Sequence, residues 1–248
     1  MRVAAISDIH GNLPALEAVL EEIWREKPDL VVSCGDVASG PMPAETIDVL
    51  RGLPDARFVR GNADRGLIEE FDGKPAPPLP GPFADWCAQQ IDRRQRDFLA
   101  SFEETVAVDG VDGAGRVLFC HATPRNDVDL FIADTPAAEV RRLFGAVDAD
   151  LVVCGHTHMQ FDRQVDGLRV VNAGSVGMPY GEPGAYWTML GPGVQPRRTD
   201  YDREAAAARI RRLSWPLASK FAEENVVSVP SVEQAMEAFR KAAAQLRA

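Results

Sequence analysis

The 248 residues include only four cysteines and four histidines. Cys34, Cys87, Cys120 and Cys154 form no Cys-x-x-Cys pair, which speaks against a zinc knuckle or a dithiol redox site. Cys34, Cys120 and Cys154 close the apolar runs VVSC, VLFC and LVVC, the pattern of buried strand-end thiols in a reducing compartment. Basic residues are outnumbered, 27 Lys and Arg against 37 Asp and Glu, for a formal net charge of −10. Proteins that hold nucleic acid by its backbone carry a basic face, so no stable nucleic-acid complex is expected. A small phosphate substrate stays open, because bound cations reverse the field locally. No apolar run approaches the roughly 20 residues of a membrane span. The start MRVAAI turns polar at Ser7 and Asp8, too early for a secretory signal. The expectation is a cytoplasmic chain with no membrane partner, and oligomeric state has no signal.

Hydrophobic content of 46% and charged content of 26% are ordinary for a globular chain with a sizeable core. VAAIS (3–7) reads as a strand, and Asn12 caps a following helix with Pro14 in its first turn. Leu13, Leu16, Leu20, Ile23 and Trp24 recur at helical spacing. A strand in 29–36, a helix near 43–52 and a strand in 56–62 continue this as βαβ units with a parallel sheet. The stretch 65–104 breaks the rhythm with a proline-rich connector, KPAPPLPGP (74–82), and one or two helices. Strands then crowd together: TVAVD, RVLFCH and, after a helix near 136–146, DLVVCGH, FDRQV, LRVVNAG and AYWTML. The short turns between the last of these predict antiparallel pairing. The expected organisation is one domain over 1–200 with a helical insertion at about 65–104, and a C-terminal helical extension, 201–248, packed on it.

All four histidines follow apolar β-type runs, each in a short polar cluster: Asp8-Ile9-His10, Cys120-His121 and Gly155-His156-Thr157-His158, with Gly35-Asp36 and Gly61-Asn62 similarly placed. In extended backbone, residues i and i+2 point the same way. Asp8 with His10, and His156 with His158, are therefore predicted to chelate in pairs. Strand C-termini of a doubly wound sheet gather at one edge, where Asp8, Asp36 and Asn62 should converge. Two carboxylates, four imidazoles and an amide exceed the needs of one cation. Two divalent cations about 3.5–4 Å apart use all seven if one group bridges, and an aspartate, with two oxygens, suits that role. The mixed donors suit manganese, iron, zinc or nickel better than magnesium or calcium, and manganese is the expected ion.

D-x-H-G-N at 8–12, G-D at 35–36, G-N-x-D at 61–64, His121 and G-H-T-H at 155–158 resemble the motifs of the calcineurin-like metallophosphoesterases, in order, over roughly 1–190. The small bacterial phosphodiesterase branch is the most similar, and NAGSVGMPYGEP (172–183) resembles its glycine- and serine-rich stretch. The resemblance implies an α/β fold, a four-layer α-β-β-α sandwich of two mixed sheets flanked by helices. It implies one cation on Asp8, His10, Asp36 and His158, and a second on Asp36, Asn62, His121 and His156, with Asp36 bridging. It implies hydrolysis of a small or nucleotide-like phosphodiester by a bridging water activated toward hydroxide, with Asn62 and Asp64 as catalytic helpers. Asn12, Arg60 and Arg65 are the expected substrate contacts, with Arg125 a further candidate. Asp64 reads equally as a helix cap. Many family members have histidine where this chain has Ala63, and general acid catalysis by such a group is worth about 10²–10⁴ in rate. That departure weakens the case for unactivated monoesters. The alternatives are a phosphomonoesterase, a nuclease, and a non-catalytic interaction module on the same fold.

Overall fold

The central strands are buried on both faces, and their alternate residues divide between different cores. β1 (Val3–Ile6) turns Ala4 and Ile6 toward a layer of helices, and Val3 and Ala5 toward a second sheet. β6 (Leu151–Cys154) sends Leu151 and Val153 into that same inter-sheet core, and Val152 and Cys154 against α6 (Ala137–Phe144). The result is two mixed five-stranded sheets packed together with helices outside, the expected sandwich. The computed structural model describes residues 1–75, 77 and 83–245. Most of the proline-rich connector therefore lies outside the described residues.

In the first sheet β1 pairs in parallel with β2 (Leu30–Ser33), which pairs in parallel with β3 (Ala56–Phe58). On the other flank β9 (Ala185–Leu190) runs antiparallel to β1, and β10 (Val194–Thr199) antiparallel to β9. The second sheet orders β4 (Thr105–Val111), β5 (Gly115–Cys120), β6, β8 (Leu168–Asn172) and β7 (Phe161–Val165). The closely spaced runs of the β-rich half do not form the one antiparallel set that their short turns predict. Of FDRQV, LRVVNAG and AYWTML, only the first two pair with each other as an antiparallel hairpin, β7 with β8; β8 lies parallel to β6, and AYWTML leaves for the first sheet, antiparallel to β1 and β10. β10 went unanticipated because Pro196 and two arginines interrupt its pattern, which an edge strand tolerates.

α1 (Leu13–Glu26) and α2 (Pro43–Arg51) cover the first sheet, and α1 is capped by Asn12 as the sequence predicts. Trp24, assigned to its apolar face, is 40% exposed. The stretch after β3 forms α3 (Asn62–Phe71), α4 (Ala84–Ala88) and α5 (Arg93–Ala100). Leu67, Cys87 and Leu99 bury into the α1 core, so this stretch thickens the helix layer without a core of its own. The C-terminal part divides. α7 (Arg203–Arg211) and α8 (Ala218–Ala222), the latter running into a π-helical turn, Glu223–Val227, place Ile210, Trp215 and Phe221 in the α1 core. α9 (Val232–Gln245) packs Ala235, Met236 and Phe239 on Ile132, Met159 and Tyr180. Among the aromatic residues, Trp187 is fully buried, and Phe71 and Trp86 pack on the core. Tyr180 stands 5.8 Å from the His158 ring.

Candidate metal centre

The loops that leave β1, β2, β3, β5 and β6 meet at one edge of the sandwich, and side chains 148 residues apart in sequence touch there. The backbone does this in a way the spacing did not foresee. Asp8, His10, Asp36, His156 and His158 adopt φ of 53°, 48°, 56°, 67° and 58°. Left-handed backbone is uncommon outside glycine, although Asp and His are among the residues that tolerate it. Such concentrations mark functional sites. The site residues therefore sit in tight left-handed turns rather than on extended strand ends, and the i, i+2 argument fails for the second pair. His158 joins Asp8 and His10; His156 joins Asp36 and His121. Within each group the donor atoms lie within 4.8 Å of one another.

Asp36 connects the two groups. Its Oδ2 lies 3.7 Å from His10 Nε2 and 3.4 Å from His121 Nε2. Its Oδ1 accepts a hydrogen bond from the Ala63 N–H at 2.8 Å. A single oxygen thus faces both groups, where the sequence argument assigned one oxygen to each. Asn62 Oδ1 lies 2.9 Å from His121 Nε2, beside the second group.

The remaining contacts of the imidazoles fix which nitrogen faces inward. His10 Nδ1 donates to the Ser39 carbonyl at 3.1 Å, His121 Nδ1 to that of Cys34 at 2.7 Å, and His158 Nδ1 to that of Met178 at 2.8 Å. Each thereby turns its Nε2 to the centre, where the neutral imidazole offers a lone pair, the usual outer support of a metal-ligating histidine. His10 Nε2 and His158 Nε2 are 3.2 Å apart, and His121 Nε2 and His156 Nδ1 are 3.1 Å apart. Asp8 Oδ2 accepts from the His156 N–H, while the buried Asp8 Oδ1 lies 3.3 Å from His158 Nε2 and has no well-directed hydrogen bond among the described residues. Imidazole nitrogens converging on buried carboxylate oxygens fit divalent cations.

Charges in the site are strongly coupled. Burial opposes ionisation of Asp36, but His121 and His10 hold its carboxyl well below the usual range. Burial likewise pushes the His121 imidazole down, but Asp36 outweighs it and raises His121 to about 10. His158 is raised by Asp8 against the same burial cost, whereas burial and His121 lower His156 to about 4. In the metal-free chain the charged His121 therefore contributes stability that is full below its ordinary value of 6.5 and lost as pH rises through about 10. Metal ligation needs neutral imidazole. At pH 7, metal uptake is expected to release at least one proton, from His121. Calorimetry in two buffers of different ionisation enthalpy checks this, and a buffer-independent heat would contradict it.

The predicted helper residues divide. Asn12 is fully buried, its Oδ1 accepting from the Ala15 N–H and its Nδ2 donating to the Gly177 carbonyl, so it caps α1 and does not face substrate. Asp64 is 1% exposed and turns both oxygens to backbone: Oδ2 accepts from the N–H groups of Asp36 and Gly61, Oδ1 from that of Val37. It is a positioning residue for the Asp36 turn, and its expected catalytic role is withdrawn. Burial and the Asp36 charge push its carboxyl up to about 7, against the pull of the Gly61 and Val37 N–H groups. Asp64→Asn sets an amide N–H₂ against at least one of these donors, and should cost about 1–3 kcal/mol. Thermal unfolding of the metal-free protein measures that loss, and an unchanged midpoint contradicts it. Arg60, Arg65 and Arg125 do lie together, lining a cavity of about 230 Å³ with His121 in its wall.

The sequence reading gave no role to the residues that brace these turns. Ser175 Oγ donates to the Asp8 carbonyl at 2.7 Å and accepts from the Met178 N–H at 2.8 Å. Asn172 Nδ2 donates to the Gly155 carbonyl at 2.6 Å. Their signal was a pair of small polar residues in the glycine-rich run that directly follows an apolar strand.

The sequence model described as the calcineurin-like phosphoesterase superfamily domain matches residues 1–190, a span that contains every residue of the two donor groups. The chain belongs to this superfamily. It is similar to a metallophosphoesterase from Sphaerobacter thermophilus, whose crystal structure is 27% identical with a TM-score of 0.68, the match covering 90% of this chain and 98% of that one. A hypothetical protein from Pyrococcus horikoshii shares the fold at 20% identity, with a TM-score of 0.74 over 89% of this chain and 97% of that one. An uncharacterised protein of Methanocaldococcus jannaschii is 27% identical over 180 residues, 70% of this chain and 69% of its own length. In this superfamily member, Ala63 fills the position after Gly61-Asn62, is fully buried and presents no ionisable group.

Proposed function

We propose that this metallophosphoesterase is a phosphodiesterase that works with two divalent cations. The observation that carries the reading is Asp36 Oδ2, placed between the His10 and His121 nitrogens and freed for shared ligation by the hydrogen bond that occupies Oδ1. Asp8, His10, Asp36 and His158 would hold one cation, and Asp36, Asn62, His121 and His156 the other. Bound there, the pair supplies an acidified water, anchorage for phosphoryl oxygens and positive charge against the transition state.

The chain's own contribution is preorganisation. Backbone carbonyls of Ser39, Cys34 and Met178 orient three imidazoles. Asp64 fixes the turn that carries Asp36. Such fixed donors and dipoles avoid reorganisation as charge develops on phosphorus. Ala63 offers no proton to a departing oxygen, which favours leaving groups that are stable as anions over an ordinary alkoxide. Manganese is the first metal to test among those that mixed imidazole and carboxylate donors suit.

The experiment compares a chromogenic phosphodiester and the matching monoester, using chelator-stripped protein with and without added manganese. Manganese-dependent turnover that favours the diester is the expected result. No turnover of either ester with manganese, nickel, zinc or iron supports instead a binding module, although the retention of every motif donor argues against that reading.

A further inference from the structure

The cavity beside His121 is electropositive on a chain of net charge −10. Its guanidinium groups come from the loop and first turn of α3 around Asn62 and from the loop that follows His121. Arg60 and Arg65 flank Asn62, and Arg125 lies just beyond His121. Two carboxylates offset these three cations only in part. Arg65 clamps Asp127 with bonds of 2.7 and 2.9 Å, which orders that wall. Arg60 reaches the largely exposed Glu104 at 3.5 Å, a long contact easily exchanged for a better anion. Arg125 donates to the Arg142 carbonyl and forms no ion pair among the described residues. The volume of about 230 Å³ is several times a water's share of the liquid, about 30 Å³.

Guanidinium groups do not give up protons near neutral pH, so this wall binds charge rather than supplying acid. We propose that the cavity receives a second phosphoryl group carried on the leaving portion of the substrate. The preferred substrates are then phosphoanhydrides and diesters whose leaving group bears its own phosphate. This rests on the phosphodiesterase reading. In the step, the oxygen of water bonds to phosphorus, and the bond from phosphorus to the leaving oxygen breaks. The electron pair remains on that oxygen, and the proton lost by water passes to solvent. Arg60 and Arg125 bind the departing anion.

The test uses the full chain with Arg60→Gln and Arg125→Gln combined, and a matching double lysine variant. Binding of inorganic pyrophosphate is measured by calorimetry with chelator present. Turnover of a symmetric dinucleoside triphosphate is then compared with that of bis(p-nitrophenyl) phosphate, using manganese-loaded protein. The glutamine variant should bind pyrophosphate at least about tenfold more weakly, as loss of charged hydrogen bonds implies. Its kcat/KM should fall about tenfold more for the triphosphate than for the aryl diester, with the lysine variant recovering part of the loss. Equal losses on both substrates, or no pyrophosphate binding by the wild type, overturn the proposal. If wild-type protein turns over neither ester, the two-cation reading fails, and pyrophosphate binding still decides whether the cavity takes phosphate.

Discussion

Asp36→Asn is expected to lower manganese-dependent diester turnover by at least about 10³-fold, as the proposed sharing of Asp36 between two charge-stabilising cations implies. The substitution is nearly isosteric, which makes it informative. The amide oxygen of asparagine can still accept from the Ala63 N–H, the bond now made by Oδ1. The amide nitrogen then replaces Oδ2, the atom that faces His10 and His121, and it has no lone pair to offer a cation. Loss of the carboxylate also removes what holds the buried His121 charged, so burial should return that imidazole to its neutral form. Turnover within tenfold of wild type would show that the two donor groups act independently of Asp36.

The second large effect is purely steric. Gly61 has φ −88° and ψ 170°, a conformation open to any residue. A Cβ there would nevertheless overlap Asp36 Oδ1 and come within 2.5 Å of the Asp36 nitrogen and 2.9 Å of its Cγ. Asp36 cannot swing aside without losing the Ala63 hydrogen bond and the aim of Oδ2. Gly61→Ala should therefore cost about 1–3 kcal/mol by overpacking and about 10²-fold in turnover by misplacing Asp36. Gly155 meets the same constraint against Ser7 Oγ and Asp8 Oδ2. The glycines of the Gly-Asn and Gly-His motifs are thus needed where one ligand loop abuts another. A Gly61→Ala protein with wild-type stability and turnover would contradict this.

The sheets were legible because burial on both faces writes short apolar runs, and VAAI, LVVS and LVVC are such runs. The donors were legible because the histidines of this chain, few in number, all follow those runs. Less could be read where information is long-range. Nothing near AYWTML says that it crosses to β1, since its partner lies more than 180 residues away in sequence. The left-handed turns were hidden because Asp and His, unlike glycine, do not announce positive φ, and the His156/His158 pair was consequently assigned the wrong geometry. Asp64 was ambiguous because an acidic residue in a first helical turn serves a cap or a substrate equally well in sequence, and only the Asp36, Val37 and Gly61 amides around it decide between them.

The central claim is that one oxygen of Asp36 joins two cation sites. Titration of chelator-stripped wild-type protein with manganese, following the free ion by electron paramagnetic resonance, tests it most directly. Two manganese ions per chain are expected, with spectra of the loaded protein showing a magnetically coupled pair. One ion per chain, or two with uncoupled spectra, would contradict the claim.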